Sequence, residues 1–244
     1  LMAADIGCAM GKSGTDVAKG VSDIILTDDD FSSIVNSIKE GRAIFANIRK
    51  ILMYLVSSNI AELLFMLLGV IIFGNIPLVA SQLLWINLIT DLIPVSTLGM
   101  EPPERDIMNT APQRKQTLFS KKLVTSIAYQ SLVMTLCFIA AYVIGLLTSV
   151  EAAATMAFVC AILSQLIFSF SARTENESVI FSLTKNKTSL CALAFSIVVL
   201  LFVTLTPIKV LFGLCAISLG QWLITILLSL VPFVVNEAVK LIKK

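Results

Sequence analysis

Of the 244 residues, 57% are hydrophobic and only 14% are charged, and 18 Lys and Arg nearly balance 16 Asp and Glu at a net charge of +2. Soluble domains carry roughly 45–50% apolar and about 25% charged residues, so a soluble globular protein is a poor fit, and the charge asks for no nucleic-acid partner. Histidine is absent and the five cysteines are scattered without a C-x-x-C pair, which excludes imidazole acid–base catalysis and argues against zinc and against a disulfide framework.

The chain opens at Leu1 with no initiator Met and no basic region leading into an apolar stretch, so no signal peptide is expected. It falls directly into DIGCAM, which reads as the interior of a folded domain whose beginning lies upstream. DIGCAM and DIILTD have the apolar runs of short strands, and GTDVAKGVS between them has a helical pattern, so residues 1 to about 36 read as the end of an α/β domain. From Phe31 onward Ile34, Val35, Ile38, Ile44, Phe45, Ile48, Ile51, Leu52 and Leu55 keep a 3.6-residue rhythm without proline. That rhythm predicts one helix from about 31 to 73, with 37–50 as a stalk leading to the apolar region. Six apolar segments follow, at about 51–73, 77–100, 123–148, 152–172, 188–207 and 210–235, each long enough for a hydrocarbon core of ~30 Å. The expected fold is therefore mainly α, a six-helix transmembrane bundle over 51–240 preceded by an incomplete α/β piece, with the lipid bilayer as its solvent.

The charges orient this bundle. The amino-terminal segment holds six Lys and Arg, the loop after the second span five, the loop after the fourth three and the tail three, leaving Lys209 alone on the other side. By the positive-inside rule both termini and the two long loops are expected in the cytoplasm, in a multi-pass protein of the cell membrane. Two glycosylation sequons, at Asn176 and Asn186, then fall on the cytoplasmic side and are expected to stay unmodified. Gly7 to Ser13 resembles a phosphate-binding loop, but only three residues separate its glycines where four are required, and it is given no nucleotide role.

Within the six segments stand two acidic side chains and no basic one: Glu62 in the first and Asp91 in the second, each near the middle. A charge there costs ~2.5–3.5 kcal/mol on insertion scales, so function is the default reading; the structural alternative is a protonated carboxyl that glues helices together. Asn59 precedes Glu62 by three residues, and Asn87 and Thr90 precede Asp91 by four and one, giving two oxygen-rich helix faces. Carboxylates, amide oxygens and a hydroxyl suit a hard cation such as calcium, although sodium, magnesium or manganese accept the same groups. Pro94 strengthens the reading, because it removes the helical partner of the Thr90 carbonyl at bilayer depth, where freed carbonyls often line cation sites.

ADIGCAMGKSGTDVAKGVSDIILTDDDFSSIVNSIKEGRAIFANIRK resembles the end of the phosphorylation domain and the stalk of type II P-type ATPases. YLVSSNIAELL and QLLWINLITDLIPVSTLGMEPPERDIM are similar to the fifth and sixth membrane helices of the calcium pumps of that family. The similar blocks run to about residue 115, and four further helices match in number and order. The resemblance implies a HAD-like phosphorylation domain, ATP and Mg2+ as cofactors, Ca2+ as the transported ion, and a missing amino-terminal half as partner. It implies ion-binding roles for Asn59, Glu62, Asn87, Thr90 and Asp91, and it places Gln165 where the sarcoplasmic-reticulum type has a glutamate, a loss of charge that weighs against a second complete calcium site. Leu92 stands where many calcium pumps have glycine. The phosphorylated aspartate, its DKTG motif, the nucleotide-binding and actuator domains and the first four helices have no counterpart in this chain, so by itself it is expected to be inactive. The alternatives are a sodium or manganese pump, or an ATP-independent channel or exchanger that uses Glu62 and Asp91 directly.

Overall fold

The computed structural model describes residues 1–103, 107–109, 117–174 and 187–242, so the sequons at Asn176 and Asn186 lie outside the described residues. Internal contacts divide the chain into two compact units, one made of Leu1–Ala46 with Pro102–Arg114 and the other of Asn47–Glu101 with Lys115–Lys244.

In the first unit, β1 (Cys8–Met10) and β2 (Ile24–Leu26) form a parallel pair, with Ala9 opposite Ile25, and α1 (Asp16–Gly20) crosses between them. Thr15 starts α1 because its hydroxyl accepts the Ala18 amide at 3.2 Å. The Lys12 and Ser13 amides, in the loop that resembles a phosphate site, each donate to Asp29 at 2.7 Å. That loop is therefore closed on the chain's own carboxylate. The Lys12 amide foremost, then the Ser13 contacts, hold the Asp29 acid down to about 2.

The boundary between the units falls inside α2 (Ser32–Phe73), a single helix of 42 residues, about 63 Å long at 1.5 Å per residue. Its length follows from the unbroken apolar rhythm and the absence of proline. In the second unit α2 is followed by α3 (Ala80–Trp85), a wide π-turn (Ile86–Thr90) and α4 (Leu92–Gly99), so the second apolar segment is helical in three consecutive pieces. Then come α5 (Lys121–Leu146), α6 (Val150–Ala172), α7 (Lys187–Leu205), a 3₁₀ turn (Pro207–Phe212) and α8 (Leu219–Ile242).

Among the described residues five helices are long and apolar enough to cross a membrane: α2, α5, α6, α7 and α8. Their exposed apolar rows, such as Leu63, Leu67 and Ile71 on α2 or Val198, Phe202 and Leu205 on α7, would be costly in water and are what hydrocarbon requires. The chain is thus mainly α and an integral membrane protein. Only α6 is buried nearly all round, because α5 and α8 both pack on it. Gly145 permits the first contact: a Cβ there would lie 2.3 Å from Ala153 Cα. Phe65 then fills the space beside α5, edge-on to Phe138 at 5.9 Å and to Tyr142 at 6.0 Å.

The last helix begins at Leu219, nine residues later than its apolar composition alone predicts. Pro207 starts a tight turn, Gly213 ends it at φ 62°, and the irregular stretch that follows is held by the Cys215 amide on the Thr155 hydroxyl at 3.0 Å. Apolar content marks what enters the bilayer, but not whether each residue is helical there.

Candidate functional site

Tyr54, Ser58 and Glu62 recur every four residues on α2 and so share one of its faces, where all three are buried. Opposite them runs the broken segment. Its π-turn closes with the Asp91 amide on the Ile86 carbonyl at 3.0 Å, one residue wider than an α-turn, and ends four residues before Pro94. A proline ring clashes with the carbonyl four residues earlier, here that of Thr90, so the chain relieves the crowding by widening just there. Asp91 occupies the joint between the π-turn and α4 and is 2% exposed.

Three elements bring polar groups together in this region. Glu62 accepts at both oxygens, from Asn87 Nδ2 at 2.8 Å and from Gln165 Nε2 of α6 at 2.6 Å. Asp91 Oδ1 accepts from the Tyr54 hydroxyl at 2.7 Å, and Tyr54 lies on the same buried face of α2 as Glu62. Among the described residues, the buried oxygens Asp91 Oδ2 and Gln165 Oε1 of this region have no hydrogen-bond partner. Buried polar atoms are seldom left so, and the two lie among carboxylates and amides.

The groups brought together are Glu62, Asn87, Asp91 and Gln165. Thr90 is buried next to Asp91, and its hydroxyl makes no hydrogen bond to the described residues. Asn59 does not join them: it is exposed on α2, and its side chain makes no hydrogen bond to the described residues. The set fits a hard cation, since every donor is oxygen and the amides can turn their oxygens inward by rotation about the last side-chain bond.

Reading along the sequence misses two features. Tyr54 is one, although a tyrosine two turns before Glu62 on the same face was the available signal. The other is a second buried polar cluster, where Lys240 Nζ meets Glu237 at 2.9 Å and the Thr174 hydroxyl at 3.2 Å and also donates to the Ser171 carbonyl. Asn236 joins it by donating to the Ser171 hydroxyl at 2.6 Å and accepting from the Tyr129 hydroxyl. These charges lie past the apolar run ending near 235 and read as a cytoplasmic tail; α8 continues to Ile242 and buries them against α6. A second ion pair, Arg173 with Glu101 at 2.8 Å, is buried as well.

Residues 75–242 match the family model described as cation transporting ATPase, C-terminus. Over its whole length the chain is 36% identical to calcium-transporting ATPase 1 of Bacillus cereus, of which it covers 30%. It is 38% identical, over 94% of its length, to the calcium-transporting ATPase of Bacillus subtilis, covering 26% of that protein. To the mouse calcium-transporting ATPase type 2C member 1 it is 32% identical over its whole length, covering 27%. The chain therefore spans less than a third of the relatives it matches.

Proposed function

This chain belongs to the cation-transporting P-type ATPases, and from that premise we propose that it is the ion-binding carboxy-terminal part of a pump that exports calcium from the cytoplasm. One observation carries the proposal: two carboxylates, Glu62 and Asp91, are buried on consecutive membrane segments, and among the described residues the buried oxygens Asp91 Oδ2 and Gln165 Oε1 have no hydrogen-bond partner. Carboxylates in a bilayer are costly alone, and one divalent cation neutralises both. Asn87 and Gln165 donate to Glu62 through their NH2 groups; turning those amides would present oxygens to the ion and leave Glu62 free to ligate it. Thr90 and Asn59 complete the proposed set, Asn59 from the face of α2 that the rest of this chain leaves open.

In the full-length protein ATP would phosphorylate an aspartate outside this chain, with Mg2+ beside it, and α2 would carry the resulting movement to Glu62. Residues 1–36 would belong to the phosphorylation domain, 37–50 to the stalk and 51–240 to the membrane domain. Both termini would face the cytoplasm, in a cell-membrane protein. By itself the chain would neither hydrolyse ATP nor form a phosphoenzyme.

The test is Asp91→Asn in the full-length pump. Calcium-dependent phosphorylation by ATP should be abolished, whereas back-phosphorylation by inorganic phosphate, which needs the ion-free site, should persist. Unchanged calcium dependence in that variant would remove the proposal. Activation by sodium or manganese in place of calcium in the parent protein would keep the site and change its ion.

A further inference from the structure

The hydroxyl of Tyr54 has no part in the cation set just described, yet it lies deep among apolar side chains, with no exposed surface on the residue. A buried phenol needs a partner, and it has one, Asp91 Oδ1 at 2.7 Å. The ring is fixed independently: it stacks on Phe168 of α6 at 6.3 Å and 21°. Phe168 stands three residues beyond Gln165, on the same face of α6. The hydroxyl is thus presented from a rigid ring, anchored to the helix that also supplies an amide to Glu62.

Asp91 needs such an anchor. It sits where the helix widens, and an aspartate's terminal torsion is broad and nearly two-fold, so the side chain by itself does not choose which oxygen points where. Among the described residues no other side chain donates to it. We propose that Tyr54 is a positioning residue of the cation site, its hydroxyl holding Asp91 through Oδ1 so that Oδ2 stays free for the ion. The proposal rests on the reading of Glu62 and Asp91 as a cation site. Fixing the carboxylate before the ion arrives removes an ordering cost from binding, which raises affinity without adding a ligand.

Tyr54→Phe in the full-length pump is the direct test, because it keeps the ring on Phe168 and deletes one oxygen. The calcium concentration for half-maximal phosphorylation by ATP should rise about tenfold, as the loss of a hydrogen bond to a charged group implies. The maximal level at saturating calcium and back-phosphorylation by inorganic phosphate should each stay within about twofold, since neither depends on pre-ordering the carboxylate. Ser58→Ala, which removes only a hydroxyl bonded to the Tyr54 carbonyl at 2.8 Å, should leave the calcium dependence unchanged.

Calcium dependence within twofold of the parent in Tyr54→Phe, while Asp91→Asn abolishes the response, would overturn the role of Tyr54 and leave the site standing. Loss of phosphorylation from both ATP and phosphate in Tyr54→Phe would also overturn it, because the hydroxyl would then be holding the fold and not the carboxylate. Wild-type calcium affinity in Asp91→Asn would remove the site, and the role of Tyr54 with it.

Discussion

Replacing Lys240 by Met tests whether the end of α8 is a solvated tail or part of the bundle. Lys240 is 8% exposed and Glu237 3%, and the ammonium donates to Glu237 at 2.9 Å, to the Ser171 and Thr174 hydroxyls at 3.2 Å each, and to the Ser171 carbonyl near the end of α6. Met keeps most of the stem volume, so little packing is lost. What remains is the buried Glu237 carboxylate without its ammonium, still met by the Ser171 hydroxyl. Removing one partner of a buried ion pair costs about 3–5 kcal/mol, whereas removing both together for apolar groups of similar size is often neutral. Lys240→Met should therefore lower stability by about 3 kcal/mol, and Glu237→Leu with Lys240→Met should recover most of that loss. Unfolding of the full-length protein in detergent micelles, followed for the parent, both single variants and the double variant, gives the coupling energy directly. A single variant within about 0.5 kcal/mol of the parent, the size of an exposed pair, would refute the claim that this pair is buried and joined to α6.

The glycines separate in the same assay. Gly145→Ala puts a Cβ 2.3 Å from the Ala153 backbone and should destabilise by about 1–3 kcal/mol, whereas Gly41→Ala, in the third turn of α2 with nothing near its Cβ, should stabilise by up to about 1 kcal/mol. Equal effects at the two positions would contradict the close α5–α6 approach. Asp29 gives a pH dependence. Its acid is held at about 2 when folded against 3.8 ordinarily, so its contribution to the Gly11–Gly14 loop is complete above about 4 and is lost as pH falls toward 2. Amide exchange at Lys12 and Ser13 should quicken across that window, beyond its intrinsic pH trend, in the parent and not in Asp29→Ala.

The sequence alone determined which parts of this protein enter a bilayer, because the apolar excess is too large for any other solvent. It also determined the run of α2, whose apolar rhythm meets no proline over 42 residues. Glu62 and Asp91 stood out too, since a carboxylate in such a run is costly, and the fold buries both. Helix spacing put Asn87 near Asp91, but it could not say that the Asn87 amide reaches across to Glu62, because that depends on the wide turn that Pro94 provokes. Asn59 sits at the right spacing from Glu62 and is nevertheless exposed, since spacing fixes a face and not what covers it. The start of α8 and the burial of Glu237 and Lys240 were decided only by packing: α6 supplies the carbonyl and hydroxyls that let two charges leave water, and no local pattern records a partner some seventy residues away. The same holds for Tyr54, an ordinary aromatic in an apolar run until the fold brings Asp91 to its hydroxyl, because the free energy of a buried polar group is set by whichever side chain arrives opposite it.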